Sequence, residues 1–169
     1  MSLSMYQASV PVFIRVLENL SAVLTKGVAN AEARKIDPSI FVGARLAPDM
    51  FPLARQIQIA SDGVKGCAAR LAGVEIPSYA DTEATFPELQ ERIAKTIAFL
   101  KTVSAKQIDG TEEKKIELKV GGRELSFTGQ TYLLHFVIPN LYFHATTAYA
   151  ILRHNGVDVG KLDFLGAPL

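Results

Sequence analysis

"PNLYFHATTAYAILRHNG", Pro139 to Gly156, decides the fold of this chain. It reads as a helix apolar on nearly every side, opening behind a proline and stopped by Asn155-Gly156. Such a helix belongs either at the centre of a bundle or in a membrane. The longer run "LLHFVIPNLYFHATTAYAIL", Leu133 to Leu152, is about as long as a bilayer-spanning helix. It carries two His, an Asn and a Pro, however, and every neighbouring helix is amphipathic rather than apolar. The spacing therefore predicts the core helix of a bundle, with no membrane partner.

Working outward from that helix, the preceding segment changes period. "KIELKV-GG-RELSF" alternates Ile116, Leu118, Val120 and then Leu125, Phe127 around Gly121-Gly122, the pattern of a two-residue-turn β-hairpin. The last helix follows it from Thr128 or Gly129 to His154, interrupted at Pro139. Before the hairpin, "TFPEL" predicts a helix start, with Thr85 as N-cap and Glu88 completing a capping box. Its stripe is Leu89, Ile93, Ile97, Leu100 and Val103. A helix from Pro48 or Asp49 to Ala72-Gly73 has the seam Met50, Leu53, Ile57, Ala60, Val64, Cys67, Leu71, with near-heptad spacing. Arg55, Gln58, Asp62 and Lys65 form its expected solvated face, and Gln56 flanks the seam. The first helix should run from Ser4 to Asn30, with Pro11 kinking it. The fold class is all-α: a four-helix bundle with a small hairpin before the last long helix, in a single domain.

Composition narrows the function. The 49% hydrophobic and 21% charged residues are those of an ordinary globular protein. A net charge of +1, with no basic run longer than Lys114-Lys115, offers nothing to nucleic acid. Cys67 is the only cysteine, which rules out an intrachain disulfide and a cysteine-based zinc site. No secretion signal opens the chain, so a cytoplasmic location is expected. Val12, Val16 and Val23 form a second apolar row on the first helix and predict a homodimer face.

The last helix also carries polar residues. Asn140 and His144 share a face, about 40° apart at 100° per residue, whereas His135 lies opposite. No His-x-x-x-His spacing exists, and the three earlier helices contain no His. Two readings stand for His144, a buried imidazole satisfied by a neighbour or a ligand-binding group. Two stand for Asn140, a partner for carbonyls orphaned by Pro139 or a pocket residue. There is no phosphate loop and no nucleophile elbow. Tyr6, Tyr142 and Tyr149 read as core aromatics.

His144, Leu152, Arg153 and Gly156 give His-x₇-Leu-Arg-x₂-Gly, which is similar to the closing pattern of the DinB/YfiT-like superfamily of four-helix bundles. "RLAPDMFPLARQIQIASD" and "PNLYFHATTAYAILRHNGVDVGKLDFLG" resemble a branch of that superfamily of unknown function. The resemblance implies a DinB-like bundle with up-down-down-up connectivity. It also implies a metal enzyme, with one His from helix two and a His-x-x-x-His pair from the last helix. In this chain His144 matches the second of the pair and Asn140 stands at the first. Gln56 or Gln58 stands at the third, and the amphipathic phase favours Gln56. Amide carbonyls are poor ligands beside imidazole for a borderline-soft ion.

Two function classes follow. One is a protein that binds an unknown small molecule in the degenerate metal pocket, lined by Gln56, Asn140 and His144, with no metal and no cofactor. The alternative is a metal-dependent thiol S-transferase or hydrolase, as the superfamily implies.

Overall fold

The computed structural model describes residues 3–167. In chain order it contains α1 (Val10–Ala33), α2 (Pro38–Val42), α3 (Leu53–Ala72), α4 (Phe86–Lys101) and α5 (Ala105–Ile108). The strands β1 (Lys115–Val120) and β2 (Arg123–Thr128) follow, then α6 (Gly129–Thr131), a π-helical stretch Tyr132–Val137, α7 (Ile138–His154) and α8 (Lys161–Leu165). The bundle consists of α1, α3, α4 and α7, with α3 packed between α4 and α7, and α1 against α4 and α7. No helix among the described residues is long and apolar enough to cross a membrane.

Contacts between named residues fix the helix directions. Gln90, near the start of α4, bonds Ser21 and Thr25 in the second half of α1, so those two run antiparallel. Gln58 and Asp62 of α3 meet Glu83 and Arg92 in that order, so α3 and α4 run parallel. Gln56 meets His144 while Arg70 meets Tyr132, so α3 and the last helix run antiparallel. The connectivity is up-down-down-up. Parallel neighbours need a long crossover, which the segment 73–85 provides.

The local rules account for most boundaries. Thr85 and Glu88 close the expected capping box on α4. The hairpin pairs Ile116 with Phe127 and Leu118 with Leu125, and both turn glycines have positive φ (56° and 80°), as a type I′ turn requires. Gly129 starts the last helix where a side chain would collide with the Thr111 carbonyl oxygen. Pro139 cannot donate an N–H, and the chain adapts with the π stretch before it, in which Ile138 N–H reaches back to the Leu133 carbonyl.

Four expectations need correction. α1 starts at Val10 rather than Ser4, which places Pro11 in the first turn, where its missing donor costs nothing and no kink is needed. α3 starts at Leu53 because Pro52 is its N-cap and extended. The face expected to be solvated on α3 is not: Gln58 and Lys65 are buried, covered by the segment 73–85 and α4. Tyr142 is an exposed residue rather than a core aromatic.

Val16 and Val23 of the second apolar row of α1 are covered within the chain, while Val12 is half-buried. Val23 is buried, and Val16 and Val23 face Ala145, Tyr149 and Phe164. Asn19 donates to the Phe164 carbonyl, Arg15 donates to the Leu165 and Ala167 carbonyls, and Lys26 pairs with Asp163 at 2.6 Å. A helix thus lies where a twofold partner was expected, and the row gives no reason for a dimer.

Candidate functional site

Antiparallel α3 and α7 bring Gln56 and His144 into contact across the seam, far apart in sequence. Gln56 is 1% exposed and His144 8%. Gln56 Nε2 donates to the Phe51 carbonyl at 2.9 Å, and Gln56 Oε1 lies 2.7 Å from His144 Nδ1. The orientation follows from chemistry. A backbone carbonyl only accepts, so the amide NH₂ must face Phe51 and the amide oxygen must face the imidazole. That oxygen also only accepts, so His144 Nδ1 carries the hydrogen and Nε2 presents a lone pair. Burial, and then the nearby charge of Arg55, hold the imidazole below its ordinary value of 6.5, so the neutral ring persists at neutral pH.

Asn140 lies one turn from His144, toward the hairpin. Its Nδ2 sits 3.4 Å from where a side chain on Gly63 would begin. It makes no side-chain hydrogen bond among the described residues, so it does not serve the carbonyls freed by Pro139. It opens instead into a cleft of about 460 Å³ between α3, the π stretch and β1. Ile59, Phe136 and Leu118 supply apolar wall; Arg55 and Asp62 stand at one end, Arg70 and Tyr132 at the other. Gln56 and His144 lie just behind the Arg55 end and do not line the cleft directly. Of the three polar residues picked out from the sequence, two touch each other and the third faces this cleft.

A larger opening, about 700 Å³, lies between α1, α2 and the start of α4. Its size does not make it the site, because most of its polar groups, the exposed Glu32 apart, already have duties. Gln90 bonds Ser21 and Thr25, Asp37 caps α2, and Thr85 caps α4.

The family-wide comparisons agree with this architecture. A protein-family profile described as "Domain of unknown function (DUF1993)" matches residues 5–165. The chain belongs to this family. A crystal structure described as a DinB family member protein from Shewanella denitrificans is 42% identical, covers 96% of this chain and 92% of its own, and superposes with a TM-score of 0.87. The DinB-like bundle is therefore shown, by a likeness well above what fold alone would give. No curated protein matches the chain.

The metal that the DinB resemblance implies does not fit the donors in this DUF1993 chain. Both ends of the Gln56 amide are engaged, one by Phe51 and one by His144. Asn140 offers only a neutral amide, and His144 Nε2 is the one good donor. No cluster of His, Cys, Asp or Glu among the described residues supplies the rest. Cys67 is buried, and burial pushes its thiol far up despite the nearby charge of Arg70.

Beside the cleft lies a charged cluster that sequence spacing did not reveal. Arg92 of α4 is fully buried. Its Nη1 donates to both Glu83 carboxylate oxygens, at 2.9 and 3.0 Å, and to the Ala80 carbonyl. Its Nη2 lies 2.9 Å from Asp62 and 3.0 Å from Asp81. Those two contacts are close in charge but poorly aligned as hydrogen bonds, and Nε has no partner among the described residues. Lys65 pairs with Asp62 at 2.7 Å and sits over the Tyr79 ring. Arg55 pairs with Asp81 and donates to Gln58. The cluster pins the segment 73–85 onto α3 and α4 and holds Arg55 at the cleft. One signal was present: Arg92 and Thr96 fall three and seven residues after Leu89, inside the apolar stripe of α4.

Proposed function

We propose that this chain is a small-molecule-binding bundle protein whose ligand sits in the α3–α7–hairpin cleft, oriented by Asn140, with the Gln56–His144 pair behind the wall fixing α3 against α7 where DinB relatives are expected to use metal. The observation that carries the reading is the Asn140 amide, which faces the cleft with its hydrogen-bonding capacity unspent. The Asn140 amide has no partner among the described residues, and His144 Nε2 is left as an acceptor by the bond at Nδ1. A cleft of mainly apolar wall with a few free polar groups is the usual form of a small-molecule site. The alternative, a metal-dependent thiol S-transferase or hydrolase, needs donors beyond His144.

A fragment screen followed by amide chemical shifts tests this. Hits should move Asn140, Gly63 and Ile59, and Asn140→Leu should remove them while the bundle still melts cooperatively. His144→Phe should weaken the same hits and keep the fold. Hits confined to the α1–α4 opening would refute the assignment. For assembly we assign the homodimer face to the exposed strip of Leu46, Tyr142 and Phe143, since α8 covers the row on α1. Light scattering should give a dimeric mass that Phe143→Glu halves; a monomeric mass for the unaltered chain removes this assignment.

A further inference from the structure

The cations of α3 differ in one respect. Arg55 is paired with Asp81, and Lys65 with Asp62. Arg70 has no carboxylate within ion-pair distance among the described residues. Its one side-chain hydrogen bond runs from Nη1 to the Tyr132 hydroxyl oxygen, at 3.1 Å. A guanidinium has five N–H donors, so most of its capacity is free. Both residues line the same end of the cleft, and Lys119 of β1, also without an ion pair among the described residues, adds a second cation at the rim.

Tyr132 sharpens the chemistry. The residue is 2% exposed, and burial pushes its hydroxyl up to about 12, so it keeps its hydrogen at any physiological pH. Its oxygen already accepts from Arg70, which leaves the O–H to donate elsewhere. This end of the cleft therefore offers donors and positive charge. The Tyr132 ring stacks on Phe136, 6.0 Å between centroids and 20° between planes, and Leu118 and Ile59 continue the apolar wall. Glycines shape the α3 side. Gly63 leaves room under Asn140, and the Arg70 guanidinium lies back against Gly66 in the space a side chain would fill.

We propose that the cleft takes a small molecule with an apolar body and one carboxylate, the carboxylate held by Arg70 and the Tyr132 hydroxyl, and a hydrogen-bonding group at the far end held by Asn140. Planar, two-pronged recognition of carboxylate is what a guanidinium does best, and an added O–H donor suits the second oxygen. This inference rests on the binding reading above and names the class of its ligand. The rival explanation for Arg70 is that a cation in the last turn of α3 only complements the helix dipole.

Matched pairs separate the two. Hexanoate and phenylpropanoate would be titrated against their primary amides, following the Asn140 and Gly63 amide shifts and the Arg70 Nε–H resonance. The expected result is at least about tenfold tighter binding of an acid than of its amide, equivalent to about 1.4 kcal/mol. Arg70→Gln should abolish that preference, Tyr132→Phe should reduce it severalfold, and Arg70→Lys should restore part of it. Should Arg70→Gln fail to fold, the Tyr132→Phe and Arg70→Lys comparison decides alone. Equal binding of acid and amide at the cleft would overturn the carboxylate assignment and leave the binding reading standing. No shift at the cleft with any of the four compounds would overturn both.

Discussion

Arg92→Met should cost the chain about 3–5 kcal/mol of folding stability, the usual penalty for stranding a buried charge by removing its partner. The methionine fills much of the arginine's volume, so little of the loss comes from a cavity. What remains is Glu83, its side chain 7% exposed, facing Asp62 and Asp81 with the guanidinium gone. Gln58 still donates to Glu83, and Arg55 still pairs with Asp81, but neither replaces two bonds to one carboxylate. A loss of that size is a large share of a typical domain's total stability. Urea unfolding measures it directly, and a change below about 1 kcal/mol would mean that the cluster is solvated enough to be dispensable.

The same cluster fixes the sign of the acid response. Burial raises both Asp81 and Glu83, but the arginines more than offset it: Arg55 first and then Arg92 for Asp81, and mainly the Arg92 hydrogen bond for Glu83. Both carboxyls end below their ordinary values of 3.8 and 4.5. Depressed carboxylates give stability that is complete above the unfolded values and lost as pH falls through the folded ones. The chain should therefore lose stability below about pH 4.5, and Arg92→Met should flatten that slope because its carboxylates are no longer held down.

Much of this fold was legible because bundle seams are local. Leu53, Ile57, Ala60, Val64 and Cys67 announce their own helix and its buried side, and "KVGGRE" announces its turn. The charged cluster was not legible, since Asp62, Asp81, Glu83 and Arg92 meet only after α3 and α4 are laid parallel and the segment 73–85 is folded between them. From the sequence, Gln58 and Lys65 on a polar helix face imply solvent; only the crossover imposed by parallel neighbours covers them. The same limit hid Arg70 and Tyr132, which meet only once α3 and the last helix are laid antiparallel. Gln56 and His144 could be named, because an amide beside an apolar seam and a histidine within an apolar helix are both out of place. Their bond could not be read, because it depends on the register of two helices separated by six intervening elements.

That bond makes the second large prediction, which reads the proton on His144. In the unaltered chain, nitrogen NMR should show Nδ1 protonated and Nε2 bare, since the acceptor at Phe51 sets the amide and the amide sets the ring. Gln56→Met keeps the volume and removes both bonds. The Phe51 carbonyl is near enough to the surface to find water, so the loss should fall mainly on the imidazole, about 1–3 kcal/mol for a buried donor left unpaired. The ring can escape part of that by moving its proton to Nε2, and the spectrum should show the switch. Gln56→Glu should do the opposite. A carboxylate at 2.7 Å favours the imidazolium, so the His144 value should rise from below 6.5 to above it. The pH dependence then inverts. With glutamine, the depressed imidazole gives stability present above 6.5 and lost as pH falls; with glutamate, the raised imidazole gives stability present below 6.5 and lost as pH climbs through the new value. An unaltered chain that carries its proton on Nε2 would mean the amide is reversed, and with it the assignment of donor and acceptor across the pair.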